Sequence, residues 1–412
     1  MHVSLLEWLR CAFCGTRLTI VEASPLVRHG DDIESGVLGC ECCAFPVVAG
    51  IPVLVADDTT RDAMHQLEAG HGAQALATLL GLDVDKTRAF EALRASGTMT
   101  YRSAIEVLSP DPEGTYFIYR FSDPTYVMAQ SVLQVVGAHA GVVHGRALDL
   151  CGGSGHRTRV LGELHPAEGV VLADVFFWKL WLAKTFTAPF CMPVCCDANN
   201  PLPFARETFS LVVLSDAFPY IWQKRMLAEE MMRVAGPSGT IVMPHLHSSL
   251  GENFTAGMTL TPASYQELFA PKGARLFSDR ALLDDVLGHN VVNLAAAVSA
   301  EELGTEPSCT LVATPHADIF SRQVLATPKS VNGELRVNPL YRVTFADGAS
   351  SLTLSFPTPE YEEEFGECRR YLPETLSLPG DARGPLETGV LEGRVDHLRR
   401  TRVVLDVPRL YC

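Results

Sequence analysis

Residues 147–155 read Ala-Leu-Asp-Leu-Cys-Gly-Gly-Ser-Gly. The apolar residues around Asp149 predict a short buried parallel strand, and the glycines after it predict a sharp turn into a helix opening near His156. Glycine suits such a turn for two reasons. It adopts positive φ at little cost, and without a Cβ it lets the backbone approach a bound group closely. The helix N-terminus then leaves free N–H donors facing that group. Asp149, Cys151, Gly152, Gly153 and Gly155 are the candidate ligand-binding residues here.

Spacing separates the ligands that this kind of turn can hold. A dinucleotide fingerprint needs Gly-x-Gly-x-x-Gly, whereas Gly153 and Gly155 are followed by His156, Arg157 and Thr158. The segment instead resembles the first motif of class I S-adenosylmethionine methyltransferases, Asp/Glu-x-Gly-x-Gly-x-Gly, with Cys151 where the first glycine usually falls. Further matches follow in order. Val170 to Asp174 is a second apolar strand whose terminal carboxylate lies 19 residues after Gly155; a carboxylate at a strand end can accept both ribose hydroxyls of a nucleoside. Val194 to Ala198 resembles the third motif, in which an aspartate, here Asp197, accepts from the adenine amino group. Phe209 to Ile221 resembles the fourth strand and its Asp-Ala-Phe-x-Tyr-Ile continuation, and Glu230 to Gly239 resembles the helix end and turn before a fifth strand, Thr240 to Pro244.

The resemblance implies S-adenosyl-L-methionine as cofactor and places Val175, Ala198, Ser215 and Asp216 on its side of the sheet. It also implies seven strands, the last antiparallel and inserted beside the fifth. Ala274 to Phe277 is the expected sixth strand and Cys309 to Thr314 the expected seventh. His245 and His247, just after the fifth strand, are the candidate general bases, because imidazole titrates near neutrality. A strand-capping or solvent-facing histidine is the competing explanation. Tyr119 and Tyr220 are the candidate substrate contacts. Tyr116, Arg120 and Tyr126 share the approach segment with Tyr119, and packing against the core accounts for all four equally well.

At the N-terminus, Cys11-Ala12-Phe13-Cys14 and Cys40-Glu41-Cys42-Cys43 lie 25 residues apart, a spacing that suits a zinc ribbon. Four thiolates around one Zn²⁺ would close the site and make it structural. Cys11, Cys14, Cys40 and Cys43 are the expected ligands, with Cys43 preferred to Cys42 because it keeps the two-residue knuckle spacing. The segment resembles the small zinc-ribbon proteins that partner RNA- and protein-modifying methyltransferases, a family with two more residues between its last cysteine and the Tyr/Phe-Pro. Reduced structural thiols or a secreted disulfide pair are the alternatives. No signal peptide precedes the cysteines and no run of about 18 apolar residues could span a membrane. A cytoplasmic protein is therefore expected, and there paired cysteines more often hold metal.

The chain has 412 residues, of which 47% are hydrophobic and 20% charged, enough for two or more cores and too apolar for wholesale disorder. Its formal net charge of −15 and its lack of a Lys/Arg-rich run disfavour nucleic-acid substrates, which need a basic face. The expected fold is α/β: a zinc ribbon over 1–57, a helical linker or lid over 58–140, a Rossmann-like seven-stranded methyltransferase core over 141–315, and a small α+β extension over 316–412. In the extension, Tyr341 to Phe356 reads as a hairpin around Asp347-Gly348 and Val403 to Val407 as another strand. Its expected role is to support the pocket or form a homo-oligomer interface.

Two activities fit. One is methylation of a small molecule such as a sugar or specialised metabolite, favoured by the acidic charge and by Asp216-Ala-Phe-Pro-Tyr220, which is not the Asn/Asp-Pro-Pro-Tyr/Phe signature of enzymes that methylate planar amino groups. The other is action on RNA or a translation protein with the ribbon as a fused activator, favoured by the ribbon's relatives. A non-catalytic cofactor- or partner-binding protein is a third class.

Overall fold

The computed structural model describes residues 1–109, 111–326, 331–391 and 393–412. Its centre is a sheet of seven strands: β1 (Ala147–Leu150), β2 (Val170–Asp174), β3 (Met192–Cys195), β4 (Leu211–Leu214), β5 (Thr240–His247), β6 (Arg275–Ser278) and β7 (Ser308–Ala313). Their spatial order is β6-β7-β5-β4-β1-β2-β3. Strands β1 to β5 are parallel to their neighbours, while β7 runs antiparallel between β5 and β6. The first four strands are buried along their whole length. Near-continuous apolar runs are what a parallel sheet covered on both faces requires.

The fifth strand is longer than its apolar run. It continues through Pro244 to His247, with a register shift between Met243 and Leu246 against β7. His245 and His247 therefore belong to the strand rather than to the loop after it. The irregularity arises where Pro244 offers no N–H to the ladder and His245 turns to φ +59°.

One face of the sheet shares a core with the N-terminal segment: Leu5, Leu9, Leu38 and Phe45 pack with Leu148, Val171, Val194 and Phe204. That segment forms a five-stranded sheet over Thr19–Ile20, Val27–His29, Asp32–Gly39, Ala44–Val48 and Ile51–Pro52. It also continues the central sheet, since Val53 bridges Cys195 in parallel and the Leu54 N–H donates to the Cys195 carbonyl at 2.7 Å. The free edge of β3 is thereby covered.

The other face packs beneath helices. After Asp58–Glu68, Gly72–Leu79 and Val84–Ser96 come Tyr101–Leu108, Pro112–Tyr119 and Pro124–Gly137. Asp57, Asp83, Thr100, Asp111 and Asp123 each cap a helix with a side-chain oxygen, and proline opens the last two helices. Gly70, at φ +81°, ends the first helix before the second begins.

The C-terminal residues form a three-stranded sheet (Tyr341–Ala346, Ala349–Leu354, Thr375–Pro379) and a strand pair (Glu334–Val337 with Val404–Val407). Leu352, Tyr361, Phe365, Leu398 and Tyr411 share one core with Phe117, Phe121 and Tyr126. The extension thus packs on the helices that lead into β1. Among the described residues no helix is long and apolar enough to cross a membrane.

Candidate functional site

The glycine turn joins β1 to the helix His156–Leu164, with Gly155 as its N-cap at φ +81°. Gly153 is also left-handed, at φ +58°, and so is Cys151, at φ +55°. A left-handed non-glycine residue costs on the order of 1–3 kcal/mol. Cys151, which stands where the first glycine of the motif usually falls, therefore carries that strain. The helix Pro112–Tyr119 roofs the turn closely, for a Cβ on Gly153 would meet the Phe117 ring at 3.2 Å. On Gly155 it would meet Ala183 at 2.9 Å.

The carboxylates differ in what engages them. Asp149 accepts from the Thr158 hydroxyl at 2.6 Å and braces the strand against the helix. Burial pushes it up to about 7, with that hydrogen bond opposing and the Asp174 charge assisting. Asp174 accepts from the Gly153 N–H on one oxygen and from the Phe176 N–H on the other, each at 2.9 Å. Burial raises its pKa, opposed by the Lys179 ammonium and those two N–H groups. Both oxygens keep a lone pair for a diol, so Asp174 fits a ribose. Val175 and Phe176 beyond it are 40% and 51% exposed, an apolar ledge suited to a flat base. Asp197 accepts from Asn199 N (2.8 Å) and Asn200 Nδ2 (3.3 Å) and so holds its own turn, with Ala198 buried beside it. The Ser215 hydroxyl donates to the Pro244 carbonyl at 3.1 Å and ties β4 to β5.

Beyond Ser215 lies a charged cluster. Asp216, at φ +66°, contacts His247 Nε2 at 2.9 Å through Oδ1 and accepts from the Tyr116 hydroxyl at 3.1 Å on Oδ2. Arg120, buried, brings Nη2 to 3.7 Å of the same oxygen and bonds Asp123 through Nη1 at 2.5 Å. The His245 and His247 rings lie edge to face at 4.7 Å, and His245 Nδ1 is 3.0 Å from Asp279 Oδ2. Asp279 in turn accepts from the Thr310 hydroxyl at 2.6 Å.

The electrostatics follow from this wiring. Burial alone would raise Asp216, but the His247 hydrogen bond and the charges of His245 and Arg120 hold it well below the usual carboxylate range. Burial alone would lower His245, but the hydrogen bond it donates to Asp279 and the charges of Asp216 and Asp279 raise it above 6.5. The two histidines are not equivalent. His247 spends Nε2 on Asp216, and its Nδ1 is buried without a partner. His245 is held through Nδ1, which leaves Nε2 without a partner among the described residues.

The two candidate substrate tyrosines lie elsewhere. Tyr119 packs its ring on Tyr361, at 5.5 Å, and under the Arg102 guanidinium, at the seam with the extension. Tyr220 is exposed and accepts from the Thr255 hydroxyl at 3.2 Å. Tyr116, one helical turn before Arg120, is the tyrosine that reaches Asp216. Asp279 was hidden because Ser278-Asp279 reads as an ordinary helix start, and Ser278 does cap the helix Asp279–His289. Only the pairing of β6 and β7 beside β5 brings it to His245.

In the N-terminal segment, the Sγ atoms of Cys11, Cys14, Cys40 and Cys42 all lie within 4.8 Å of one another. The contacts Cys11–Cys42, Cys14–Cys40 and Cys40–Cys42 are 3.8, 3.7 and 3.8 Å. A tetrahedron with metal–sulfur bonds of about 2.3 Å has edges of about 3.8 Å, so the donor set fits zinc. The group with these distances contains Cys42, and the expected Cys43 lies beside it, Sγ to Sγ at 3.3 Å. Cys43 donates its N–H to Cys40 Sγ at 3.2 Å and packs on the ribbon core. Its carbonyl receives the Cys40 N–H at 2.9 Å just before the strand Ala44–Val48.

Residues 148–243 match a family model described as a methyltransferase domain. The chain carries that domain and is an enzyme of the methyltransferase class. No curated protein matches it. Among solved structures, it is similar to one chain of the complex between the Haloferax volcanii Trm112 methyltransferase activator and a methyltransferase, with 16% identity, 53% of this chain and 99% of that chain covered, and a TM-score of 0.35. A SAM-dependent methyltransferase from Aquifex aeolicus has 15% identity over 49% of this chain and 96% of its own, with a TM-score of 0.33. Geranyl diphosphate C-methyltransferase from Streptomyces coelicolor has 10% identity over 45% and 76%, with a TM-score of 0.33.

Proposed function

We propose that this chain transfers the methyl group of S-adenosyl-L-methionine to a hydroxyl or amine of a small molecule, with His245 as general base. The observation that carries the reading is the Asp279–His245 pair at the end of β5, with the second ring nitrogen of His245 unengaged among the described residues. When bound, the cofactor supplies a methyl group on a positively charged sulfur. Asp174 would hold its ribose, Asp197 and the Val175–Phe176 ledge its adenine, and the backbone of 151–155 its amino-acid end.

The rest falls to the side chains around the acceptor. Asp279 fixes His245 with the proton on Nδ1, so that Nε2 can take the acceptor's proton as the new bond to carbon forms. Asp216, held ionised, is positioned by Tyr116, Arg120 and His247 to accept a hydrogen bond from the acceptor or to favour a cationic amine. Oriented placement of this kind contributes more than chemistry in a reaction whose leaving group is already good. The ribbon, sealed onto the β3 edge, is a structural module with one zinc. The division of the chain at 57, 140 and 315 belongs to the same proposal, as do a cytoplasmic location and homo-oligomer formation through the extension.

Incubation with methyl-labelled S-adenosylmethionine and a cell extract split into low-mass, RNA and protein fractions tests the reading. Label in the low-mass fraction is expected, reduced at least about 100-fold in His245→Gln, the scale of a lost general base. Label confined to RNA or protein would overturn it in favour of the fused-activator reading.

A further inference from the structure

Among the described residues, two groups of His, Cys, Asp or Glu side chains bring at least three donor atoms within 4.8 Å of one another. One is the thiolate group of the N-terminal segment. The other is Asp216, His245 and His247, and two imidazoles with one carboxylate are a donor set for a divalent transition-metal ion.

The geometry inside the cluster suits such an ion. Asp216 Oδ1 and His247 Nε2 are 2.9 Å apart. Two donors at right angles around an ion, each bonded at about 2.1 Å, stand about 3.0 Å apart. The other atoms of these side chains are engaged from outside the cluster. Asp216 Oδ2 accepts from the Tyr116 hydroxyl at 3.1 Å, which leaves Oδ1 for the ion. His245 Nδ1 is 3.0 Å from Asp279 Oδ2, and Asp279 is itself held by the Thr310 hydroxyl at 2.6 Å. A carboxylate behind an imidazole is the arrangement that fixes a metal-binding histidine, because it sets the tautomer and raises the basicity of the other nitrogen. That nitrogen, Nε2, has no partner among the described residues. On His247, Nδ1 has no partner to fix the tautomer, so Nε2 can present its lone pair.

Charge favours a cation as well. The neighbouring guanidinium, Arg120, lies 3.7 Å from Asp216 but 2.5 Å from Asp123, a second carboxylate that offsets it. Asp279 adds a third behind His245. Glu364, on the extension helix Pro359–Phe365, adds its charge at both Asp216 and His245. With both histidines neutral these groups sum to negative charge, which a divalent ion would offset.

We propose that Asp216, His245 and His247 bind one divalent transition-metal ion, at a site separate from the cysteine cluster, and that its occupation shuts off methyl transfer. The site stands on the contacts above, whereas the shut-off rests on the proposed role of His245: the ion takes the Nε2 lone pair that the acceptor's proton needs. Metal binding and proton acceptance therefore exclude each other at one atom.

The test is calorimetric titration with Ni²⁺ of the untagged full chain, dialysed against a weak chelator so that the cysteine cluster keeps its zinc. One saturable equivalent per chain is expected. Asp279→Asn should weaken it about 10- to 100-fold, the scale for a residue that orients a metal ligand, and His247→Gln should weaken it further. Retained zinc and an unchanged melt identify the folded variants, and Asp279→Asn carries the test if His247→Gln fails to fold. Absence of saturable binding up to about 1 mM Ni²⁺, or unchanged affinity in the folded variants, overturns the site. Methyl transfer should fall in step with occupation and return when the chelator removes the ion. Transfer unchanged at saturation overturns the shut-off, and transfer that rises leaves the metal site in place while overturning His245 as the base.

Discussion

Replacing Cys42 and Cys43 one at a time by serine separates two readings of the ribbon that differ by one residue. Three sulfur–sulfur contacts of 3.7 to 3.8 Å put Cys42 at a corner of a tetrahedron whose ideal edge, for bonds of about 2.3 Å, is about 3.8 Å. Cys43 Sγ is 3.3 Å from Cys42 Sγ, shorter than that edge, and its N–H is already committed to Cys40 Sγ. Loss of residues that merely orient ligands weakens metal sites about 10- to 100-fold, so loss of a ligand itself should exceed 100-fold, or about 2.7 kcal/mol. Because a structural zinc contributes its binding energy to folding, that loss should also lower the ribbon's stability. The assay is zinc content per chain by elemental analysis after dialysis against a weak chelator, with a thermal melt in parallel. Wild type and Cys43→Ser should each retain one zinc, and Cys42→Ser should lose it and melt earlier. Zinc retained in Cys42→Ser but lost in Cys43→Ser would refute the geometric argument; a zinc-free, fully stable wild type would refute the metal site.

Asp174→Ala should weaken S-adenosylhomocysteine binding by about 1–3 kcal/mol in calorimetry, the scale of hydrogen bonds to a charged group, and unchanged affinity would remove Asp174 from the ribose. The imidazole of His245 should titrate above 6.5 by NMR, and Asp279→Asn should bring it down, since the hydrogen bond to Asp279 and the charges of Asp216 and Asp279 together outweigh burial. The sign for stability follows: a raised folded-state pKa contributes fully below about 6.5 and is lost as pH rises through the folded value, while transfer needs the neutral ring and so increases over the same window. An Asp279→Asn variant with an unmoved His245 titration would show that the 3.0 Å contact does not govern the base.

Much of the core was legible because buried parallel strands must be continuous apolar runs, and those runs are visible at 147–150, 170–174 and 211–214. The bounds of β5 were not. Its last four residues are Pro-His-Leu-His, and only pairing with β7 keeps them in the sheet. The candidate site divides in the same way. The motif residues Asp174 and Asp197 stand at strand ends where a local pattern places them, whereas Asp279 reaches His245 from 34 positions away. Tyr119 and Tyr116 lie three residues apart on one helix; the expectation fell on Tyr119, whose ring packs on Tyr361 of the extension, while it is Tyr116 that reaches Asp216.

By itself the sequence determined the order of strands and helices, the glycine turn and the cysteine pairs, because strand burial, positive φ and knuckle formation depend on residues within a few positions of one another. The tertiary structure placed the Sγ of Cys42 within 4.8 Å of those of Cys11, Cys14 and Cys40, and set His245 against Asp279 and His247 against Asp216. Those outcomes depend on distances between elements far apart in the chain, which packing sets and local pattern does not record.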